Sequence, residues 1–129
     1  MKDKSIEGKL NIKDNYNWRG DIAELLAKYK LNALRTKGYE YKKPIRINNK
    51  HNQFLKRYWD SIDLFKVDFN GNLNIFEVKA RTFGIKRKPD ITKKALNCYK
   101  KAITLGINTY FIYVYFHDNW EISFETKNF

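Results

Sequence analysis

The sequence has few of the residues that build disulfide frameworks and nitrogen- or sulfur-based metal centres. Cys98 is the only cysteine, and His51 and His117 are the only histidines. A single cysteine excludes an internal disulfide and a cysteine-rich zinc site, because both need several thiolates. Two histidines disfavour a histidine-based metal cluster. The low cysteine content is typical of a reducing compartment, so we expect a cytoplasmic or other intracellular location.

Long apolar segments are missing as well. No window approaches the roughly 20 apolar residues that a membrane-spanning helix needs. The polar start Met1-Lys2-Asp3-Lys4 runs into further polar sequence, without the apolar segment of a secretory signal. We therefore expect no membrane partner and no secretion. The chain has 129 residues, only two prolines and no repeat or low-complexity linker, which predicts one compact domain.

Positive charge, in contrast, is abundant. The chain has 26 lysines and arginines against 14 acidic residues, which gives a net charge of +12. Such an excess favours a polyanionic partner, because each neutralised phosphate releases condensed counterions. Solubility, or the coding bias of an AT-rich genome, would produce the same composition. The charge therefore favours nucleic acid as a partner and is silent on catalysis.

The apolar periodicities predict an α/β sandwich around a mixed sheet, flanked by helices. Residues 1–18 are predicted to form an N-terminal arm, and residues 19–129 the domain. A helix is predicted over residues 19–37, ending at Gly38. This helix is apolar on two sides, so we expect it to lie between the sheet and either the arm or another subunit.

The remaining elements give the predicted order αβββαββ. Strands are predicted near residues 39–47, 61–68, 73–80, 109–116 and 120–124. A second helix is predicted to open at Pro89-Asp90 and to close at Gly106. Residues 48–57 are predicted to be a polar and basic connection.

The hairpin around Asn70-Gly71 has two possible registers, and polarity chooses between them. A two-residue turn at Asn70-Gly71 would pair Leu64 with Glu77 and would mix charged with aliphatic side chains throughout. A type I turn over residues 68–71, with Asp first and Gly last, is the favoured chemistry for a three-residue loop with a glycine bulge. It pairs like with like: Asp68 with Asn72, Val67 with Leu73, Phe65 with Ile75, Leu64 with Phe76, Asp63 with Glu77, and Ile62 with Val78. We therefore prefer the second register.

This register brings two acids together on one face of the sheet. Asp63 and Glu77 become cross-strand neighbours with β-carbons roughly 5 Å apart, and Lys79 lies on the same face. Two buried carboxylates side by side repel and are costly to desolvate. A hard divalent cation with oxygen ligands, Mg²⁺ above all, removes both penalties. The alternative is structural: Glu77 pairs with Lys79, and Asp63 pairs with an arginine.

Asp63, then Glu77-Val78-Lys79 after a short hairpin, following a helix with Glu24, resembles the PD-(D/E)XK nuclease superfamily. The resemblance covers about residues 19–120, and residues 20–24 are similar to the family's first-helix motif. It implies a restriction-endonuclease-like sandwich in which Asp63, Glu77 and the Val78 carbonyl hold Mg²⁺, with Mn²⁺ as a substitute. It also implies that Lys79 serves the hydrolytic water and that Glu24 approaches the metal. Ile62 stands where the family has its name-giving proline.

Two branches of the superfamily are similar to the chain. Archaeal-type Holliday junction resolvases are similarly short, and residues 106–120 are similar to their last strand and closing tryptophan. Intron-encoded homing endonucleases of this fold are similar in the helix start and in the Asp63-Leu64 hairpin. Our first hypothesis is a Mg²⁺-dependent, structure-selective DNA endonuclease of recombination, resembling a Holliday junction resolvase. The alternatives are a site-specific homing or restriction-type endonuclease and a catalytically silent DNA-binding subunit.

Because two scissile strands call for two sites, we expect a homodimer or higher homo-oligomer bound to DNA. Two basic segments flank the candidate site, and their side chains are candidates for phosphate contacts or for a solvated face. The preferred DNA-binding residues in them are Lys42, Lys43, Arg46, Arg81, Lys86, Arg87 and Lys88. Tyr99, at the edge of the apolar stripe of the second helix, is expected to pack in the core more readily than to contact phosphate. Asp60 is a possible extra acid, although strand alternation points it away from Asp63.

Overall fold

A computed structural model describes residues 12–36, 46–84 and 90–129 of the chain. These ranges form an α/β fold with helices on both faces of a mixed sheet. The elements, in chain order, are α1 (Ile12–Leu31), β1 (Leu34–Arg35), α2 (Asn49–Arg57), a 3₁₀ turn (Trp59–Ser61), β2 (Leu64–Val67), β3 (Leu73–Thr82), α3 (Lys93–Thr104), β4 (Asn108–Phe116) and β5 (Ile122–Asn128). None of the helices in these ranges is both long and apolar enough to span a bilayer.

The five strands lie in the order β1-β2-β3-β4-β5. β3 and β4 are parallel, and every other neighbouring pair is antiparallel. A parallel pair needs a long crossover, and α3 lies in the segment that connects β3 to β4. The predicted mixed sheet flanked by helices is therefore confirmed.

One face of the sheet is covered by α1. Ala23 and Ala27 are fully buried against Leu64 and Phe76 of the sheet. Their small side chains let the helix lie close to the strands, so one of its two predicted apolar sides does face the sheet. On the other side of α1, Tyr29 is 72% exposed, although a second apolar cover was expected there.

The opposite face is covered by α2 and α3 over the first half of β3. Cys98 and Tyr99 of α3 are fully buried in one cluster with Phe65 and Ile75 of the sheet. Thr92 caps α3, its side chain accepting a hydrogen bond from the Ala95 backbone N–H. Cys98 is thus a buried core residue.

The first third of the chain departs from the predicted boundaries. α1 begins at Ile12, so residues 12–18 are helical rather than an arm separate from the helix predicted at residue 19. It ends at Leu31, because Asn32 adopts a left-handed conformation with φ 52°. β1 then occupies Leu34–Arg35, where the helix was expected to continue. Most of the strand predicted at residues 39–47 lies outside the described residues.

The predicted connection at residues 48–57 is wrong, because this segment forms α2. Asn48 caps the helix by accepting a hydrogen bond from the His51 backbone N–H at 2.8 Å. Phe54 and Leu55 are buried in the α3-side core. The observed order of the described elements is therefore αβαββαββ, with one helix more than the predicted αβββαββ.

Candidate active site

The β2–β3 hairpin has the predicted register. Asp68 N–H donates to the Asn72 carbonyl and Gly71 N–H donates to the Asp68 carbonyl, each at 3.0 Å. Gly71 supplies the positive φ of 79° that this loop requires. Phe65 pairs with Ile75 in the strands. Asp63 comes one residue before β2, directly after the last pair of the ladder, and in this register it lies beside Glu77.

Asp63 occupies the place where pairing between β2 and β3 stops. The last β2–β3 pair in this direction is Leu64 with Phe76. Next to it, the Asp63 carboxylate accepts a hydrogen bond from the Val78 N–H at 2.8 Å. Because the N–H and C=O of a strand residue point to the same neighbouring strand, the Val78 carbonyl also lies on the Asp63 side of β3. Asp63 and the Val78 carbonyl thus share one edge of β3.

Glu77 is buried, with 8% of its surface exposed, and is held by contacts from α3 and from β3. The Tyr99 hydroxyl of α3 donates to Glu77 Oε1 at 3.2 Å. Lys79 Nζ lies 3.3 Å from Glu77 Oε2 and also donates to the Asp90 carbonyl. Together these contacts hold the Glu77 carboxylate on the α3 face of the sheet.

Burial raises the pKa of Glu77 to about 8. The charge of Asp63 and a hydrogen bond with its carboxyl group raise this pKa further, while Lys79 acts in the opposite direction. Two carboxylates in one site cannot both ionise cheaply, so Glu77 retains a proton near neutral pH when no cation is bound. This proton follows first from the burial of Glu77 and then from its pairing with Asp63.

Both carboxylates line a cleft of about 210 Å³ together with Asp60, Ser61, Thr92, Lys94 and Ala95. An ion pair between Lys94 Nζ and Asp60 Oδ2, at 2.5 Å, lies at this cleft, and both of its side chains are largely exposed. The cleft gives Asp63 and Glu77 access from solvent, although Glu77 itself is buried.

Two residues, Asp60 and Tyr99, have contacts at the site that the sequence did not predict. The 3₁₀ turn at Trp59–Ser61 interrupts the strand alternation from which Asp60 was expected to point away, and Asp60 lines the same cleft as Asp63. Tyr99 packs in the core, as expected, but its hydroxyl also binds Glu77. An aromatic residue at the edge of the helix stripe, with a polar tip, was the only sequence signal for this role.

The donor set at this site consists of oxygen atoms. In the part of the chain that the structure describes, no three His, Cys, Asp or Glu side chains group closely enough to hold a metal ion. Asp63, Glu77 and the Val78 carbonyl remain as a smaller set. Mg²⁺ commonly uses one or two carboxylates and keeps several waters, so these residues fit Mg²⁺ better than zinc, which prefers nitrogen and sulfur.

Glu24 is not brought into a common cluster with Asp63 and Glu77. It is half-buried on α1, next to Ala23, which packs on the other face of the sheet. The proposed role of Glu24 near a metal ion stays a prediction, and the structure gives it no support.

The predicted phosphate-binding residues are only partly described. Lys42, Lys43, Lys86, Arg87 and Lys88 lie outside the described residues. Arg46 is exposed and lines a groove with Phe69 and Gly71, at the turn end of the hairpin and not at the cleft. Arg81 follows Lys79 on the same face of β3.

The salt-bridge alternative holds for one of its two pairs. Glu77 does pair with Lys79. Among the described residues, however, Asp63 has no arginine partner and instead accepts the Val78 N–H. A purely structural ion-pair network would neutralise both acids, whereas here the two carboxyl groups face one another.

Comparisons with known proteins add no relative: no family model matches the chain, and neither the curated proteins nor the solved structures contain a match.

Proposed function

We propose that the chain is a divalent-metal-dependent DNA endonuclease that hydrolyses phosphodiester bonds. The observation that supports this most directly is the pair of facing carboxyl groups, Asp63 and Glu77, at an open cleft with Lys79 beside them. Acids held together at this electrostatic cost are typical of sites that bind a cation or transfer protons.

Each residue has a task in this proposal. Asp63, Glu77 and the Val78 carbonyl hold Mg²⁺, for which Mn²⁺ can substitute. When bound, the ion would supply positive charge that activates a water molecule and offsets the charge that develops on the phosphate. Lys79 has three N–H donors, of which Glu77 and the Asp90 carbonyl occupy two among the described residues. In this proposal the third donor binds the attacking water or a phosphate oxygen.

Positive charge supports DNA as the substrate. The net charge of +12 favours a polyanion. In this proposal, Lys94, which lines the cleft, and Arg81, beyond Lys79, contact phosphates on either side of the scissile bond. Such contacts position the DNA backbone and do not depend on sequence.

The narrower proposal, based on the resemblance, is a structure-selective enzyme like a Holliday junction resolvase that acts on branched DNA as a homodimer or higher homo-oligomer. A homing or restriction-type endonuclease would use the same chemistry on a specific duplex sequence. A catalytically silent DNA-binding subunit is the alternative outside enzymes. Cleavage of a panel of DNA substrates separates all three.

The test is cleavage of labelled DNA in Mg²⁺ and in EDTA. The substrates are a four-way junction, a flap, a single strand and a library of linear duplexes. Asp63→Asn is compared with wild type, because the amide oxygen still accepts the Val78 N–H while the charge is lost. Asp21→Asn, an exposed acid on α1, is the matched control.

Mg²⁺-dependent cutting that Asp63→Asn loses and Asp21→Asn keeps supports the nuclease. Symmetric nicks in the junction select the resolvase proposal, and cutting confined to one duplex sequence selects the homing or restriction alternative. Binding without cutting on every substrate contradicts the enzyme and leaves the silent subunit. Cutting that survives Asp63→Asn rejects this site.

A further inference from the structure

An exposed pair of stacked rings lies where β3 and β4 end. The Phe83 and His117 rings are parallel within 21°, with centroids 4.0 Å apart. Phe83 N–H donates to the Phe116 carbonyl at 3.0 Å, and His117 Nε2 lies 2.8 Å from Ser123 Oγ. Phe83 is nevertheless 58% exposed. Backbone and side-chain contacts thus fix a ring pair with solvent-accessible aromatic surface.

These rings belong to an aromatic column on the face of the sheet that carries Glu77. From the ring pair, successive contacts run through Tyr115, Tyr113, Phe111, Phe129 and Tyr99. Tyr99, at the far end, is the residue that donates to Glu77. The exposed ring pair and the candidate active site are therefore two ends of one packed aromatic face.

A cation lies between the two ends. Arg81 Nη1 donates to the Ala80 carbonyl at 2.8 Å, and its guanidinium lies 5.8 Å from the centre of the Tyr113 ring. Its Nε and Nη2 atoms are buried and have no hydrogen-bond partner among the described residues. Buried donors of this kind usually have a partner, and a phosphate would be a suitable one once the guanidinium turns toward solvent.

The spacing along β3 places these groups next to the proposed scissile phosphate. Lys79, Arg81 and Phe83 are every second residue at the end of β3, so their side chains point to the same face. Along the strand, Lys79 and Phe83 are roughly 13 Å apart. A second cation, Arg19, donates to Thr82 at 3.0 Å and lies over the Phe116 ring. Arg19 lies on the α1 face of the sheet, where Phe116 packs. On the face of the rings the positive charge comes from Lys79 and Arg81, and it favours a nucleotide over a purely apolar partner.

We propose that Arg81 and the Phe83–His117 ring pair form a subsite for an unpaired nucleotide next to the cut. Arg81 binds the phosphate of this nucleotide, and the free face of Phe83 stacks on its base. The subsite rests on the proposed function, because it requires the cut DNA strand to run along β3 from the cleft to Phe83. It narrows the substrate to DNA with unpaired bases beside the cleavage position, such as a flap or a splayed arm, because a paired base cannot leave its stack cheaply.

The test is binding without catalysis. Dissociation constants are measured in EDTA by fluorescence anisotropy, for a labelled single strand and for a blunt duplex of the same sequence. The variants are Phe83→Ala and Phe83→Trp. Phe69→Ala is the matched control, because Phe69 is fully exposed in the turn at the opposite end of β3.

We expect Phe83→Ala to weaken single-strand binding about 5- to 100-fold, the usual effect of removing one base–aromatic stack. Blunt-duplex binding should change much less, Phe83→Trp should retain the affinity, and Phe69→Ala should resemble wild type. Because Phe83 is exposed, thermal unfolding of the alanine variant should stay close to wild type.

Equal single-strand affinities for Phe83→Ala and Phe69→Ala would overturn the subsite. So would a loss of self-association in Phe83→Ala, by analytical ultracentrifugation, with unchanged DNA binding, since the rings would then contact a second copy. The nuclease is judged separately by cleavage. If the protein cuts DNA and Phe83→Ala does not change single-strand binding, only the subsite is rejected. If Phe83→Ala weakens single-strand binding but no DNA is cut, the nuclease proposal is rejected and a single-strand binding site remains.

Discussion

The two faces of the sheet differ in how far the apolar pattern continues. On the face toward α1, the buried residues at the sheet are apolar from Leu64 and Phe76 across to Ile112 and Val114. On the other face the pattern is apolar under α2 and α3 and then changes along β3. Ile75 is a core residue, while Glu77, the next residue on this face, is an acid, and Lys79 and Arg81 follow.

The difference separates stability from candidate function within a single strand. Alternate residues of β3 point to opposite faces, so Phe76 can anchor α1 while Glu77 faces Asp63. Burial of apolar side chains stabilises the first face. On the second face, burial of Glu77 destabilises its charged form, as its raised pKa indicates. If the faces are divided in this way, variants on each should affect different measurements.

The largest expected effect is on catalysis. We expect Glu77→Gln to lower the rate of Mg²⁺-dependent cleavage on the order of 1,000-fold or more, because a loss of several kcal/mol of charge stabilisation reduces a rate by this factor. Single-turnover cleavage of the best substrate measures it. Full activity in Glu77→Gln would show that the charged half of β3 is structural.

The next effect concerns the α1 face. Leu64 is fully buried there, so Leu64→Ala should lower the free energy of unfolding by about 2–5 kcal/mol. Urea denaturation measures this loss. At a temperature where the variant is still folded, its cleavage rate should remain near wild type. A large rate loss in the folded variant would mean that the two faces are not separable.

The third effect is a pH dependence of stability. The pKa of Glu77 is about 8 in the folded protein and near 4.5 as an ordinary value, so the folded state holds a proton that the unfolded state releases between these pH values. The stabilisation is present below pH 4.5 and is lost as the pH rises through 8. Between pH 5 and 8 in EDTA, we expect wild type to lose stability on the order of a few kcal/mol relative to Glu77→Gln.

Urea denaturation of both proteins at a series of pH values measures this difference. Mg²⁺ should stabilise wild type at pH 8 and have little effect on Glu77→Gln, because a ligand stabilises only the state that binds it. Parallel pH profiles for the two proteins would contradict the facing-carboxyl geometry.

The part of the site set by local chemistry could be predicted from the sequence. Asp68 and Gly71 define the turn, and the turn with the polarity of the strands defines the register that places Asp63 opposite Glu77. The fold class followed from the periodicities. The end of α1 did not, because Asn32 adopts a left-handed conformation and ends the helix before Gly38, where the end was predicted.

Other features depend on contacts between distant segments. α2 has one buried pair, Phe54-Leu55, in a polar and basic segment, so its periodicity is weak. Asp60 reaches the cleft because the 3₁₀ turn breaks the strand alternation. The Tyr99 contact joins a helix to a strand residue 22 positions away, and no local pattern encodes it.

The smallest expected effect tests that last contact. Tyr99→Phe removes the hydroxyl that holds Glu77 Oε1 and leaves the ring in the core. One lost hydrogen bond should lower the free energy of unfolding by about 1 kcal/mol. If Tyr99 positions Glu77, kcat should fall by about tenfold or less while KM for DNA stays constant.

Cys98→Ala is the matched control, because Cys98 is the neighbouring fully buried residue of α3. Its stability loss should be of similar size, since a small buried group is removed, and its kcat should remain that of wild type. Steady-state kinetics and urea denaturation on both variants separate the two roles. A kcat that falls equally in both would mean that packing under β3, and not the hydroxyl, supports the site. A kcat that falls only in Tyr99→Phe would show that the Tyr99 hydroxyl positions Glu77. The functional part of this face would then include a residue of α3 that is otherwise packed like an ordinary core tyrosine.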